Sequence, residues 1–251
     1  KPRIRAISSG TILPNSNNLK YNFEAINVKE VDVRIIKIYE DNVLQFLQEN
    51  NINSSSEYAI KRVGRRVAKK TITLINNKEN NTHNWKAYSI DISKMVATEP
   101  GAIYRVELSF NKNQVLYKCS ENNVIADNEE DELEISSVSE NEEKREELYW
   151  DNKLYSYKNY RYNWRERENP CHDAYYDSNK IIAQNLLASN LGIIAKKGEN
   201  NNYFFAITNI LNTKPEAGAK IQLFNFQQQE ILSTKTDAEG FANIETPKNA
   251  A

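Results

Sequence analysis

The chain is poor in the residues from which most reactive sites are built. It has two histidines and two cysteines in 251 residues, which leaves few ways to assemble a metal centre or a nucleophile–base pair. Seven glycines include no Gly-rich phosphate loop, and Val63-Gly64-Arg65-Arg66 has one glycine and reads as a turn or bulge. A formal net charge of -1 gives no electrostatic reason to expect nucleic acid or a membrane surface as partner. No apolar run approaches the roughly 20 residues that span a bilayer. No leader is visible, but a chain that opens on Lys1 is expected to be a trimmed or mature fragment, so that lack excludes nothing.

What is present points to short strands and small cores. Hydrophobic residues make up 39% of the chain and the mean hydropathy is -0.73. Fourteen tyrosines suit strands with amphipathic aromatic faces. Residues 1–118 form a first block. Segments 2–8 and 19–26 alternate apolar and polar, and Leu19, Tyr21, Phe23 and Ala25 share one face. Segment 31–39 places Val31, Val33 and Ile35 on one face and Ile36 and Ile38 on the other, which predicts a central strand. The period then changes. Val43, Leu44, Phe46 and Leu47 after Asn42 predict a short helix crossing between sheets, with Asn42 as its N-cap. Segments 67–74, 85–92 and 102–110 resume the strand pattern, 115–118 either extends the last of these or forms another strand, and Glu99-Pro100-Gly101 is a turn. The block reads as an antiparallel β-sandwich.

Residues 119–179 differ. Eleven of the twenty-one residues from 127 to 147 are Asp or Glu, which predicts a solvated, mobile acidic insertion. An aromatic stretch follows, with Tyr149, Trp150, Tyr155, Tyr157, Tyr160, Tyr162 and Trp164, then Arg165-Glu166-Arg167-Glu168. Acidic neighbours argue against base stacking. The stretch reads as a connector packed along the seam between two sandwiches. Residues 180–251 are the second block, with strands expected at 181–188, 191–197, 203–209, 219–226, 230–235 and 241–245. Turns are expected at 214–218 and 237–240. The block is shorter than a full sandwich of roughly 100 residues and is expected to be truncated.

Cys119 and Cys171 are either two buried thiols or a disulfide. The disulfide is preferred, because each flanks a strand-rich block on opposite sides of the polar excursion. It implies an oxidising compartment. Cys171-His172-Asp173 contains triad residue types, but neighbours on an extended chain point in alternating directions and cannot line up as nucleophile, base and orienter. His83 lies in a polar turn. No catalytic residue, metal ligand or cofactor is expected, and the chain reads as non-enzymatic. The basic run 61–70 fits a sheet edge protected by charge better than a polyanion site.

Several segments together resemble the bacterial alpha-2-macroglobulins, large envelope proteins. In the first block these are Phe23-Glu24-Ala25-Ile26-Asn27-Val28, Val31-Asp32-Val33-Arg34-Ile35-Ile36-Lys37-Ile38, Gln45-Phe46-Leu47-Gln48, Arg62-Val63-Gly64-Arg65 and the segment from Pro100 to Leu108. In the second they are the segment from Ala188 to Lys196 and Thr236-Asp237-Ala238-Glu239-Gly240-Phe241-Ala242. The resemblance implies an all-β chain of two immunoglobulin-like, macroglobulin-type sandwiches. It implies a scaffold role in a longer protease-trapping inhibitor of the periplasm or cell surface. Its partners would be the trapped proteases and neighbouring macroglobulin-type domains, with no nucleic acid and no direct membrane contact. Many family members carry a Cys-Gly-Glu-Gln thioester. Cys119-Ser120-Glu121-Asn122 lacks the glycine and the glutamine whose side-chain carbonyl closes onto sulfur, so no thioester is expected. The family's bait region lies elsewhere in the chain than 120–148. The competing reading is an extracytoplasmic ligand- or glycan-binding module, with Trp150, Tyr155 and Tyr157 stacking on sugars. A peptidase- or receptor-attached accessory domain would leave the first block unexplained.

Overall fold

The computed structural model describes residues 1–7, 10–14, 19–53, 55, 59–75, 84–119, 163–176, 180–199 and 201–246. Two β-sandwich units follow one another. In the first, β1 (Arg3–Ala6), β3 (Lys20–Ile26) and β6 (Lys86–Asp91) form a sheet ordered β1-β3-β6. It faces a sheet ordered β2-β8-β7-β4-β5, made of β2 (Ile12–Leu13), β4 (Glu30–Ile38), β5 (Gly64–Thr73), β7 (Ile103–Ser109) and β8 (Ile182–Ala188). Pairing is antiparallel except between β2 and β8, which run parallel.

The alternation expected of 19–26 is realised. Leu19, Tyr21, Phe23 and Ala25 all point into the core with Val31, Val33 and Ile35. The residues of β4 that point the other way, Ile36 and Ile38, enter a second core with Phe46, Ile60, Val63 and Ile103. That core lies under α1 (Val43–Glu49) and α2 (Ile60–Val63). The helix expected after residue 42 therefore exists, but it does not cross between sheets. It belongs to the connection between β4 and β5, which are neighbours in one sheet, and it covers that sheet's outer face. Asn42 makes no side-chain cap. Its Nδ2 instead donates to Val63 O at 3.0 Å, tying α1 to α2.

Both edges of the larger sheet are protected. β2 is two residues long. β5 carries Arg65, Arg66, Lys69 and Lys70, and its pairing with β4 slips by one residue at Val67, between Ala68 and Arg66. A bulge with charge is a standard defence of an edge strand against further pairing. Gly64 begins β5 where a Cβ would stand 2.8 Å from Lys37 O, so a side chain there would push the two strands apart.

The second unit has a sheet ordered β13-β10-β9, from β9 (Leu191–Lys197), β10 (Asn202–Asn209) and β13 (Phe241–Glu245), and a hairpin of β11 (Lys220–Phe224) and β12 (Glu230–Lys235). Its core is small: Phe205, Ile207, Ile221, Ala242 and Ile244. The turn before β13 forms as expected. Asp237 Oδ1 accepts from Glu239 N and Phe241 N at 3.0 and 2.8 Å, and Gly240 adopts φ +77°.

Two expectations are corrected. The strand expected at 181–188 is not part of the second sandwich, because β8 pairs with β7 along its whole length. The first unit thus takes its last strand from beyond the excursion, and the second begins after residue 188. The segment expected at 115–118 contributes only an isolated bridge between Val28 and Val115.

Tyr21 is buried, and its hydroxyl has no hydrogen-bond partner among the described residues. Burial raises its pKa from 10.0 to about 12. The native state therefore favours the neutral phenol. The resulting stability is fully present below pH 10 and is lost as the pH rises through 12, at about 1.4 kcal/mol per pH unit in between. Tyr21→Phe removes an unsatisfied hydroxyl. It is expected to leave stability at pH 7 unchanged or raise it by up to about 1 kcal/mol, and to flatten the decline between pH 10 and 12. Urea titrations of both proteins across that range measure this.

Candidate functional site

The most ordered chemistry in the chain is a buried ion cluster on the outer face of the larger sheet. Arg34 on β4, Arg105 and Glu107 on β7, and Asn185 on β8 lie side by side because their strands are in register: Arg34 opposes Glu107 and Arg105 opposes Asn185. All four are buried. Glu107 Oε1 accepts from Arg105 Nε at 2.7 Å, and its Oε2 lies 2.7 Å from Arg34 Nη2 as an ion pair without hydrogen-bond alignment. Arg105 Nη2 donates to Ser55 O at 2.8 Å, and Asn185 Nδ2 donates to Asn51 O at 3.4 Å. The cluster thus holds the backbone between α1 and α2 down on the sheet. It is a clamp, because each charged group is turned onto another protein group.

The second feature is a seam closed by the disulfide Cys119–Cys171, with a Cα–Cα distance of 5.7 Å. It anchors residues 163–176 to the first sandwich. Tyr175 enters that sandwich's core and donates from its hydroxyl to Pro2 O at 2.5 Å. Tyr176 packs edge-on against Phe110 and donates to Pro170 O at 2.6 Å. Glu168 lies 3.5–3.9 Å from Lys1, Arg3 and Lys180. Every one of these outside partners belongs to the first unit. The connector, expected along the seam between two sandwiches, instead packs on the first alone in its described part.

The neighbours of Cys171 are separated. His172 Nδ1 accepts from Ala174 N at 3.0 Å, a local turn bond. Asp173 lies 3.9 Å from Lys112. With Cys171 in a disulfide, the three residues form no catalytic line. Cys119 is bonded to Cys171 and has no free sulfur to offer an acyl group. Among the described residues no cluster of His, Cys, Asp and Glu could hold a metal, and no helix is long and apolar enough to cross a membrane. His83, Ser120, Glu121, Asn122, the acidic run 127–147, Trp150, Tyr155 and Tyr157 lie outside the described residues. Of the basic run, Lys61 and Arg62 sit on α2 and the remainder on edge strand β5.

A buried clamp, a stapled seam and two β-sandwiches in series match the fold of macroglobulin-type domains. Residues 188–251 match the family model of the bacterial alpha-2-macroglobulin MG3 domain; the match begins where β8 ends. No curated protein sequence matches the chain. Among solved structures, all of the chain superposes on Escherichia coli alpha-2-macroglobulin spanning domains NIE-MG1, with TM-score 0.55 and 15% identity, covering 90% of that structure. It likewise superposes on the same protein spanning MG0-NIE-MG1, with TM-score 0.54 and 15% identity over 59% of that structure. Of the trypsin-activated E. coli protein it covers 13%, with TM-score 0.56 and 14% identity over 99% of the present chain. The chain therefore spans less than two thirds of the three-domain structure and a small part of the larger one. At these identities the superpositions establish a shared fold.

Two outcomes follow from the geometry. Glu107→Gln leaves two buried guanidinium groups without their carboxylate and is expected to cost about 3–5 kcal/mol, measured by chemical denaturation. Replacing Cys119 and Cys171 together by serine opens a loop with a sequence separation of 52. It is expected to lower stability by up to roughly 4 kcal/mol in the chain-entropy account, with an unchanged far-ultraviolet circular dichroism spectrum.

Proposed function

We propose that the chain is a scaffold segment of a bacterial alpha-2-macroglobulin-like inhibitor that traps endopeptidases outside the cytoplasm, and that it has no catalytic role of its own. The observation that carries this reading is the match of residues 188–251 to the MG3 domain family. The fold of the whole chain supports it, since that fold is shared with an E. coli alpha-2-macroglobulin described as trypsin activated. The disulfide agrees with an oxidising compartment such as the periplasm or the cell surface. In a trap of this kind the segment's work is mechanical. It must hold neighbouring domains at fixed spacing while other parts of the molecule meet the protease. A helix-capped sandwich with a double-faced central strand suits that task, because it has few soft internal degrees of freedom.

The test uses the longer protein to which the segment belongs. It is incubated with a panel of endoproteases, and each protease is then assayed on a small chromogenic peptide and on a large protein substrate. Trapping predicts loss of activity on the large substrate alone, together with one discrete cut in the inhibitor. Equal activity on both substrates sinks the inhibitor reading.

A further inference from the structure

The two sandwiches are joined by Ser189 and Asn190. Ser189 N donates to Leu13 O at 3.0 Å in the first unit, while Asn190 O accepts from Ile210 N at 2.8 Å in the second. The last residue bonded to one sandwich is thus adjacent to the first residue bonded to the other. Relative rotation is confined to the few torsions between them. The disulfide does not restrain it, since both cysteines serve the first unit. Among the described residues no strand or helix of one unit packs more than marginally on an element of the other, and units with so small an interface move by default.

Beyond the local turn bond from Leu191 N to Ser189 Oγ at 3.1 Å, Gln48 is the side chain among the described residues that is seen to span the gap. Gln48, in the last turn of α1, donates from Nε2 to Phe226 O, and its Oε1 accepts from Gln228 Nε2 at 3.0 Å. Both partners lie at the tip of the β11–β12 hairpin. That tip is braced before it is grasped. Asn225 N donates to Gln229 O at 3.0 Å, Asn225 Nδ2 to Gln229 Oε1 at 2.9 Å, and Gln229 N to Asn225 Oδ1 at 2.8 Å. Phe226 itself is 73% exposed, and Leu44 and Leu47 on α1 are 41% and 43% exposed, so packing contributes little to the contact.

We propose that Gln48 is the latch of a hinge. It clasps the 225–229 turn and holds the second sandwich in one orientation about the pivot at Ser189 and Asn190. Both bonds are neutral and solvent-exposed, so the latch is weak and reversible, and it does not respond to pH. Whatever competes for the Gln48 amide or displaces the hairpin tip frees the second unit to swing. Helix α1 thereby does two jobs: its Phe46 side seals the second core, and its Gln48 side sets the angle between units.

Spin labels report the angle directly. Both native cysteines are in the disulfide, so Lys94→Cys and Lys214→Cys introduce the two labelling sites, one in each unit. Distance distributions are compared for this protein and for the same protein with Gln48→Met. Methionine matches glutamine in length and helix propensity but offers neither hydrogen bond. A distribution broadened at least about twofold by Gln48→Met, with an unchanged thermal midpoint, is the expected result for a released hinge. Gln228→Ala, which removes one of the two bonds far from either core, is expected to give an intermediate width and serves if the helix variant loses stability. Two results would overturn the proposal: widths that neither variant changes, or a distribution already as broad with Gln48 present.

Discussion

The first sandwich depends on a strand with no solvent face. β4 is buried on both sides, with Val31, Val33 and Ile35 turned toward the smaller sheet and Ile36 and Ile38 turned away from it. A strand of this kind cannot be satisfied by a two-layer sandwich alone. The outward pair demands a cover, and the connection from β4 to β5 supplies it by coiling into α1 and α2. Where that face is covered, its polar residue Arg34 is buried too. Arg34 is therefore forced into partnership with Glu107, and the buried ion cluster is the consequence of a third layer laid over charged positions. Such clusters add little net stability compared with apolar packing, but breaking one is costly. Their effect is to make one arrangement of the cover far better than its neighbours.

Much of this was legible in the linear pattern. Period-two alternation located β3, β4, β7, β9, β10 and β13 to within about a residue, and the break in period after Ile38 located α1. Local pattern could not say which strands pair across a long gap. Ile182–Ala188 has the composition of a first strand of the second block, and only its register with β7 assigns it to the first. The ion cluster was missed for a related reason. In Val33-Arg34-Ile35 and Val106-Glu107-Leu108 the charges look like the wet side of a half-buried strand. The signal that could have corrected this was Ile36 and Ile38. They share a face with Arg34, and two isoleucines there imply that the face is covered. The role expected of Asn42 failed because that residue already ends a helical turn, Glu40–Asn42, with αR backbone angles rather than the extended ones of a cap, and its Nδ2 is held by Val63 O.

The two units are built to different standards. The first has two cores, a charged clamp, protected sheet edges and a covalent staple. The second rests on five buried apolar residues, and Ile193 and Ile194 on β9 are 62% and 59% exposed. Its backbone turns are nonetheless well specified, as the Asp237 loop shows. A stiff first unit and a lightly built second, joined by a two-residue pivot, form an asymmetric pair. Motion about that pivot is expected to be that of the second unit against the first.

The disulfide also has a topological meaning. It closes residues 119–171 into a covalent ring, and Glu168 within that ring pairs with Lys1, Arg3 and Lys180 of the first unit. β7 and β8 pair from either side of the ring, which closes at Cys119 and Cys171. In an unfolded chain, doubling a loop's length adds only about 0.6 kcal/mol to the cost of closing it, and a ring already closed by sulfur escapes most of even that. A change of length inside the ring is therefore expected to cost little in loop-closure entropy. The ring also means that a chain severed once inside it remains one molecule.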